Sequence, residues 1–166
     1  MTFSDESQAK LSLPLWLVLL DNVPTMGLIF LGTLILAPIS LVFAGAYLVY
    51  SIFSIVWVWA KICPACHYYG TCACPCGYGT ISARFFKPST GNQNFAAVFK
   101  RHIVVVFPNW FVPLFAGIFL LVFHFSGQLL LYFILFTVTG FIIIPGISKW
   151  VGCRNCTNKA NCPWMK

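Results

Sequence analysis

The amino-acid sequence predicts an all-α integral membrane protein with four transmembrane helices, arranged as two pseudo-repeated hairpins that are each followed by a Cys-rich, metal-binding segment. The first observation is composition, because 60% of the 166 residues are hydrophobic and only 8% are charged. A soluble domain has about 25% charged residues. Two long apolar blocks and a recurring cysteine motif are the other observations. Too few charges remain to cover a surface in water, so we expect the chain to contact the lipid bilayer.

The two apolar blocks cover residues 11–60 and 103–151, with a polar stretch between them. A helix needs roughly 20 apolar residues to cross about 30 Å of hydrocarbon. Each block is therefore too long for one span and has the length of two. We expect turns near "APIS" (Ala37–Ser40) and near "HFSGQ" (His124–Gln128). The four predicted spans cover residues 13–36, 40–60, 103–123 and 128–149.

The first predicted span of each block contains polar residues and prolines. "LLDNVPT" places Asp21 ahead of Pro24, and "FPNWFVP" places Asn109 between two prolines. A carboxylate at the bilayer centre costs about 2.5–3.5 kcal/mol on insertion scales, and proline kinks a helix because it has no N–H. Two structures therefore remain open for 11–22 and 102–112. Each forms part of a full span, or each lies in the membrane interface and bends at its proline.

The positive charges predict which side of the membrane each end of the chain occupies. Four spans place the N-terminus, the loop between the blocks and the C-terminus on one side, and every Lys and Arg falls on that side. These residues are Lys10, Lys61, Arg84, Lys87, Lys100, Arg101, Lys149, Arg154, Lys159 and Lys166. Positively charged loops are typically cytoplasmic. We therefore expect an inner (cytoplasmic) membrane protein with this side in the cytoplasm. "MTFSDESQAK" has no basic n-region, so no cleavable signal peptide is expected.

The cysteines reveal an internal repeat. "CPACHYYGTC" begins at Cys63, and "CRNCTNKANC" begins 90 residues later at Cys153; both follow the pattern C-x2-C-x5-C. Two spans in each half give both halves the same orientation. This predicts two helical hairpins related by a pseudo-twofold axis along the membrane normal. The predicted organisation is a first repeat over 1–76, a linker loop over 77–99 and a second repeat over 100–166.

All eight cysteines lie outside the predicted spans and on the predicted cytoplasmic side. Two C-x2-C turns are enough to complete a tetrahedral zinc site, and eight thiols suffice for two such sites. One grouping joins Cys63 and Cys66 with Cys153 and Cys156. An iron–sulfur cluster takes the same four thiolates, so zinc is the expected metal and an iron–sulfur cluster is the alternative. The candidate ligands are Cys63, Cys66, Cys72, Cys74, Cys76, Cys153, Cys156 and Cys162.

Three other roles for the cysteines are weaker. "CPACH" is an attachment signature for a c-type haem with His67 as axial ligand, but the second copy has Thr157 at the corresponding position. Stable disulfides are rare in a reducing cytoplasm. Single cysteines often act as small buried apolar residues, whereas these cluster in polar segments that contain proline and glycine. Metal ligation accounts for the pattern best.

The predicted function is that of an accessory or structural subunit of a membrane complex, in which the metal joins the two hairpins. Other membrane-protein subunits and lipid are the expected partners. The alternative is an iron–sulfur protein that exchanges electrons at the membrane. Transport of a soft metal ion needs polar groups within the spans, and only Asp21 and Asn22 are present there.

Two further classes are not expected. The chain has no Gly-rich phosphate loop and no H-E-x-x-H motif, so it is not expected to be an enzyme by itself, at most a subunit of a membrane redox enzyme. The formal net charge is +7, yet the basic residues flank apolar segments and form no dense patch for phosphates. Nucleic acid is therefore not an expected partner.

Overall fold

The computed structural model describes residues 15–71, 74, 76–89 and 95–153, with only the backbone described at 151–153. Helix accounts for 84% of these residues, and none of them forms a strand. The prediction of an all-helical protein is therefore confirmed for the described part of the chain.

Short helices join longer ones, and several of the joints depart from α-helical geometry. The α-helices are α1 (Leu15–Leu36), α2 (Leu41–Trp57), α3 (Tyr78–Phe85), α4 (Phe95–His102), α5 (Pro108–Phe123), α6 (Gly127–Val138) and α7 (Ile144–Ile147). The π-helical turns are Val58–Ile62, Thr139–Ile143 and Ser148–Cys153, and the 3₁₀ turns are Cys63–Ala65 and Ile103–Val106. The first π-helical turn and the last begin 90 residues apart, which is the offset between the two cysteine motifs.

Four of the described helical segments are long and apolar enough to cross a membrane, as the sequence predicted. They are Leu15–Leu36, Leu41–Ala65, Phe95–Phe123 and Gly127–Trp150. The third begins at Phe95 rather than at residue 103, because the amphipathic helix α4 precedes its apolar part. Large apolar side chains remain exposed along all four segments, among them Phe30, Val42, Phe119 and Ile142. Exposed apolar faces of this extent are compatible with contact to lipid.

The prolines have different local effects in the two halves. α1 is one continuous helix that contains Pro24, so Asp21 lies inside a regular helix and not in a bend. In the second half, α5 starts at Pro108, directly after a 3₁₀ turn and Phe107. Proline is well suited to the first position of a helix because its missing N–H has no helical acceptor there.

The described chain separates into two compact units. The cysteine unit contains the described residues within 1–22, 56–104 and 147–153, and the span unit contains 23–55 and 105–146. The two cysteine motifs therefore begin in the same unit, although the side chain of Cys153 is not described.

The span unit has an apolar core and closely packed helices. Its buried residues include Leu28, Ile35, Leu120, Leu129 and Phe136. On α1 the buried positions recur every three or four residues, as expected for one face of an α-helix. Gly32 lies on this face, and a Cβ atom there would be 2.5 Å from the Tyr47 hydroxyl and 2.9 Å from Pro113 Cγ. Glycine at this position thus permits α1, α2 and α5 to approach closely.

A buried polar cluster joins α2 and α5 within the span unit. The Asn109 carboxamide donates to the Ser54 hydroxyl at 2.7 Å and accepts from the Ser51 hydroxyl at 3.1 Å. The Tyr47 hydroxyl donates to the main-chain carbonyl of Asn109 at 3.0 Å. All of these groups therefore find partners on the neighbouring helix, which suits a role in helix packing.

Candidate thiol site

The candidate site begins directly after α2, where a π-helical turn (Val58–Ile62) is followed by a 3₁₀ turn (Cys63–Ala65). The Cys63 N–H bonds to the Val58 carbonyl in the π-helical pattern. The same pattern would pair the Trp59 carbonyl with residue 64, but Pro64 has no N–H. The hydroxyl of Ser82, which is fully buried, donates to the Trp59 carbonyl at 2.7 Å instead. This bond docks α3 against the end of α2.

The chain after Cys63 turns back on itself through a series of short turns. The Cys66 N–H donates to the Cys63 carbonyl at 3.0 Å, and the Tyr69 N–H donates to the Cys66 carbonyl at 3.1 Å. Gly70 and Gly77 have φ angles of 72° and 71°, a left-handed conformation that favours glycine. The backbone conformation of the loop therefore explains why glycine is present at both positions.

Two long-range hydrogen bonds hold this loop closed. The Gly70 N–H donates to the Gly79 carbonyl at 3.1 Å, which fixes the loop to the first turn of α3. The Tyr69 hydroxyl donates to the Phe86 carbonyl at 2.5 Å, which fixes it to the end of the same helix. The loop and α3 consequently form one folded element around the thiols.

The four cysteines with described side chains are neighbours of one another. The Cys74 and Cys76 sulfur atoms are 3.6 Å apart. The Cys63 thiol interacts electrostatically with Cys66 and with Cys74. Cys63 and Cys74 are each only 8% exposed. Cys63 thus lies near both Cys66 and Cys74, and Cys74 is in contact with Cys76.

Hydrogen bonds position the Cys74–Cys76 pair on both sides. The Gly79 N–H, in the first turn of α3, donates to the Cys74 sulfur at 3.4 Å. The Asn22 carboxamide donates to the main-chain carbonyl of Cys76 at 3.0 Å and to the Val18 carbonyl at 2.7 Å. The pair is therefore held between α1 and the start of α3.

The two thiols of this pair have opposite pKa shifts. The pKa of Cys74 is lowered to about 6, chiefly because Cys76 donates a hydrogen bond to its sulfur; burial opposes this effect, and the Gly79 N–H adds to it. The pKa of Cys76 is raised because its S–H is that donor, and burial and the nearby Cys74 and Asp21 raise it further. The hydrogen bond thus favours a thiolate on Cys74 that accepts from the thiol of Cys76.

Asp21 and Ser148 extend the site toward the second cysteine motif. The Ser148 side chain donates a hydrogen bond to the Asp21 carboxylate, and the Asp21 charge acts on Cys76 and on Tyr78. Ser148 begins the π-helical turn that ends at Cys153. The start of the turn that leads into the second motif therefore contacts Asp21, which lies near Cys76.

The predicted ligands have three different outcomes. The structure places Cys74 beside Cys76 and Cys63 near Cys66 and Cys74; it describes Cys153 by its backbone alone, and the remaining ligands fall outside the described residues. The last group comprises Cys72, Cys156 and Cys162. Within the described part of the chain, no group of three or more His, Cys, Asp and Glu side chains is close enough to hold a metal ion. Metal binding, the internal repeat and the boundaries of the two repeats stay predictions.

Histidines do not join the described thiols. His67 is exposed and its ring meets Tyr68, with ring centroids 5.9 Å apart. His124 is exposed at the turn between the last two long segments, and His102 packs against Trp57 at 5.9 Å. Haem ligation by His67 thus gains no support from its surroundings.

All described Lys and Arg residues belong to the cysteine unit and are exposed. They are Lys61, Arg84, Lys87, Lys100, Arg101 and Lys149. The ammonium group of Lys61 lies 5.8 Å from the centre of the Trp57 ring, a cation–π distance. The positive charge that the sequence places on one side of the membrane is therefore gathered in the unit that carries the thiols.

Sequence reasoning missed the residues that position the thiols. Ser82 and Gly79 lie in the segment 77–99, which was expected to be a linker loop and contains the helix α3. The sequence carries little sign of this helix. The segment "GYG" at 77–79 lies at its start, but that Gly77 adopts a left-handed conformation and caps the helix is visible only in the structure. The sequence offers Asn22 as a polar group for ion transport within a span, whereas in the structure its carboxamide donates to the main-chain carbonyl of Cys76.

Comparison with known proteins gives no match: no family model, no curated protein and no solved structure is significantly similar to this chain. The residues of the site therefore carry the functional inference by themselves.

Proposed function

We propose that the chain is a small polytopic membrane protein whose cysteine-rich end binds zinc through thiolates and acts as a structural subunit of a membrane complex. The observation that carries this proposal is the neighbourhood of four thiols in the unit that also contains the described cations. Four candidate membrane-spanning helices among the described residues support the membrane part of the proposal.

The separation of the Cys74 and Cys76 sulfurs suits a shared metal ion. In a tetrahedral site with Zn–S bonds of about 2.3 Å, neighbouring sulfurs lie roughly 3.8 Å apart; the pair is 3.6 Å apart. The N–H···S bond from Gly79 is of the kind that stabilises a thiolate. These two residues would be the first ligands, and Cys63 is a further thiol that interacts electrostatically with Cys74.

The remaining ligands would come from the other cysteines. Thiols of the second motif are favoured because Ser148 contacts Asp21, which lies near Cys76. A metal ion bound by both motifs would join the two halves of the chain. Thiolate-bound structural zinc contributes folding free energy directly, and zinc itself carries no redox chemistry. A structural role follows from this donor set.

The proposed sidedness places the cysteine unit in the cytoplasm, because positively charged segments remain there during insertion. A reporter inserted after Lys87 should be cytoplasmic, and one inserted at Ser126 should be on the opposite side. The reverse result would place the thiols in an oxidising compartment and would contradict the proposal.

Metal analysis of the purified protein tests the proposal. The protein would be purified in detergent under reducing conditions, and its metal content and visible absorption would be measured. We expect a colourless sample that contains zinc, with most of the zinc lost in Cys74→Ser. His124→Ala is the matched control, because it removes a metal-binding side chain at an exposed turn and should leave the zinc content unchanged.

Other spectra lead to other conclusions. Visible sulfur-to-iron charge-transfer bands would assign an iron–sulfur cluster and an electron-transfer role, since a cluster takes the same thiolates. A Soret band would assign haem to the C-x-x-C-H motif. A wild-type protein without metal would refute the proposed zinc site.

A further inference from the structure

The contact between Cys74 and Cys76 has chemical consequences beyond metal ligation. Their sulfur atoms are in van der Waals contact at 3.6 Å, and a disulfide bond is about 2.05 Å long. A movement of roughly 1.5 Å would therefore close the bond. This contact between two sulfur atoms already has the separation from which a disulfide can form.

We propose that Cys74 and Cys76 form a reversible disulfide by exchange with a small-molecule disulfide of the glutathione type, and that this reaction controls metal binding at the thiol site. The disulfide follows from the geometry of the pair alone. Only the second part, control of the metal, rests on the proposed function.

The two steps of the exchange balance in atoms and electrons. First, the Cys74 thiolate attacks one sulfur of glutathione disulfide, which gives a Cys74–glutathione mixed disulfide and releases one glutathione thiolate. Then the Cys76 sulfur, which loses its proton to solvent, attacks Cys74 Sγ and displaces the second glutathione thiolate. Both leaving thiolates take up protons. The two protein thiols lose two electrons, and glutathione disulfide gains them.

The surroundings of the pair favour this order of events. The Gly79 N–H donates to the Cys74 sulfur, which stabilises negative charge on the attacking atom. The Asn22 carboxamide donates to the main-chain carbonyl of Cys76 and holds this residue in place. After the first step, the Cys76 sulfur is already beside the mixed disulfide that it has to attack.

The expected disulfide is one that a reducing compartment reverses. Only one residue separates the two cysteines, so the bond closes a very short loop, and strained disulfides are the more easily reduced ones. The pair should therefore be reduced in a resting cytoplasm and oxidised when glutathione disulfide accumulates. In the oxidised state neither sulfur is a thiolate, so the site loses two donors at once.

Redox titration of the intact protein tests the disulfide. Metal-free wild-type protein in detergent would be equilibrated with glutathione buffers that range from reducing to oxidising. Acid quenching, alkylation and peptide mass spectrometry then locate each bond. We expect a Cys74–Cys76 disulfide as the first oxidised species, and return of both thiols when reduced glutathione is restored.

Two variants define the order of the steps. Cys76→Ser should stop at the Cys74–glutathione mixed disulfide, whereas the control Cys66→Ser should still form the Cys74–Cys76 bond. Circular dichroism and gel filtration would show that each variant is folded. A first disulfide between Cys63 and Cys74, or no oxidation of the pair in the wild-type protein, would overturn the inference.

A parallel measurement on zinc-loaded protein separates the two proposals. Oxidation should release zinc to a chromophoric chelator in step with loss of the two thiols, and bound zinc should slow the oxidation. If the reduced protein binds no zinc but still forms the Cys74–Cys76 disulfide, the proposed function fails and the disulfide stands. If the protein binds zinc but the pair does not oxidise even in the metal-free protein, the redox inference is wrong.

Discussion

The Tyr47 hydroxyl donates a hydrogen bond to the main-chain carbonyl of Asn109, 3.0 Å away on another helix. That carbonyl would normally accept from the N–H four residues later, but that residue is Pro113. A hydrocarbon core offers no water to replace the missing donor. Tyr47 therefore supplies the hydrogen bond that the proline removes, and in this way α5 accommodates a proline in its interior.

The same relationship recurs in the cysteine unit. Ser82 donates to the Trp59 carbonyl, whose partner in the π-helical pattern would be Pro64. In both units a side-chain hydroxyl from a separate helix replaces a backbone donor that proline lacks. These hydroxyls thus bring specificity to helix pairing, because each matches one unpaired carbonyl.

Tyr47→Phe should destabilise the protein by about 1–3 kcal/mol, because it leaves the buried Asn109 carbonyl without a donor while keeping the ring. The free energy of unfolding in mixed micelles with increasing SDS would measure the loss. The control is Tyr132→Phe, which removes a hydroxyl whose partner is the exposed Gln128. This change should cost less than about 0.5 kcal/mol.

A double variant gives the sharper form of this prediction. Pro113→Ala restores an N–H within α5, so Tyr47→Phe should cost less in the Pro113→Ala background than in the wild type. The coupling free energy of the cycle should be about 1 kcal/mol. Strictly additive effects of the two substitutions would show that Tyr47 and the proline are independent.

Gly32→Ala should destabilise the protein by about 1–3 kcal/mol, because the added methyl group would clash with Tyr47 and Pro113 in a packed core. Gly45→Ala is the matched control on α2, where nothing lies within 4 Å of the added carbon. Alanine is the better helix former by about 1 kcal/mol, so the control should leave the protein unchanged or more stable. Equal effects of the two substitutions in the same unfolding assay would contradict the close approach.

Ser82→Ala should loosen the attachment of α3 and expose Cys63. Loss of a buried hydrogen bond costs about 1–3 kcal/mol, and 1.4 kcal/mol is a factor of ten in the population of the open form. Alkylation of Cys63, which is 8% exposed, should therefore accelerate by about tenfold in the metal-free protein. Ala83→Ser on the exposed face of α3 is the control and should leave the rate unchanged. An unaltered rate in Ser82→Ala would mean that other contacts hold the helix.

The membrane-spanning segments could be predicted from the sequence because their length and apolar composition are properties of consecutive residues. Length and polarity alone predict turns near Ala37–Ser40 and near His124–Gln128, and the structure interrupts its helices at 37–40 and at 124–126. Ser40 even caps the following helix, since its hydroxyl accepts from the Val42 N–H at 3.2 Å. Asn109, in contrast, looked like a defect in an apolar span. Its partners Ser51 and Ser54 lie on a different helix, and no local pattern identifies them.

The sequence predicted that cysteines form the site, but it did not predict which cysteine side chains are in contact. The repeat drew attention to the C-x2-C-x5-C spacing, yet the contact between two sulfur atoms that the structure shows joins Cys74 and Cys76, which lie outside that spacing. Spacing along the chain does not say where side chains point. That direction depends on the left-handed glycines of the loop and on the docking of α3 by Ser82, which are tertiary features.

Alkylation of Cys74 in the metal-free, reduced protein should rise with pH with a midpoint of about 6, because the pKa of its thiol is lowered to that value by the Cys76 hydrogen bond. Since only the thiolate reacts, labelling should be slow at pH 5 and near its plateau at pH 8. Cys76→Ala removes the donor and should move the midpoint upward by one pH unit or more, whereas Cys76→Ser keeps an O–H donor and should move it less. Peptide mass spectrometry after a brief pulse of iodoacetamide at each pH gives the midpoint. A wild-type midpoint above pH 8 would show that Cys74 is not stabilised as a thiolate by its neighbour.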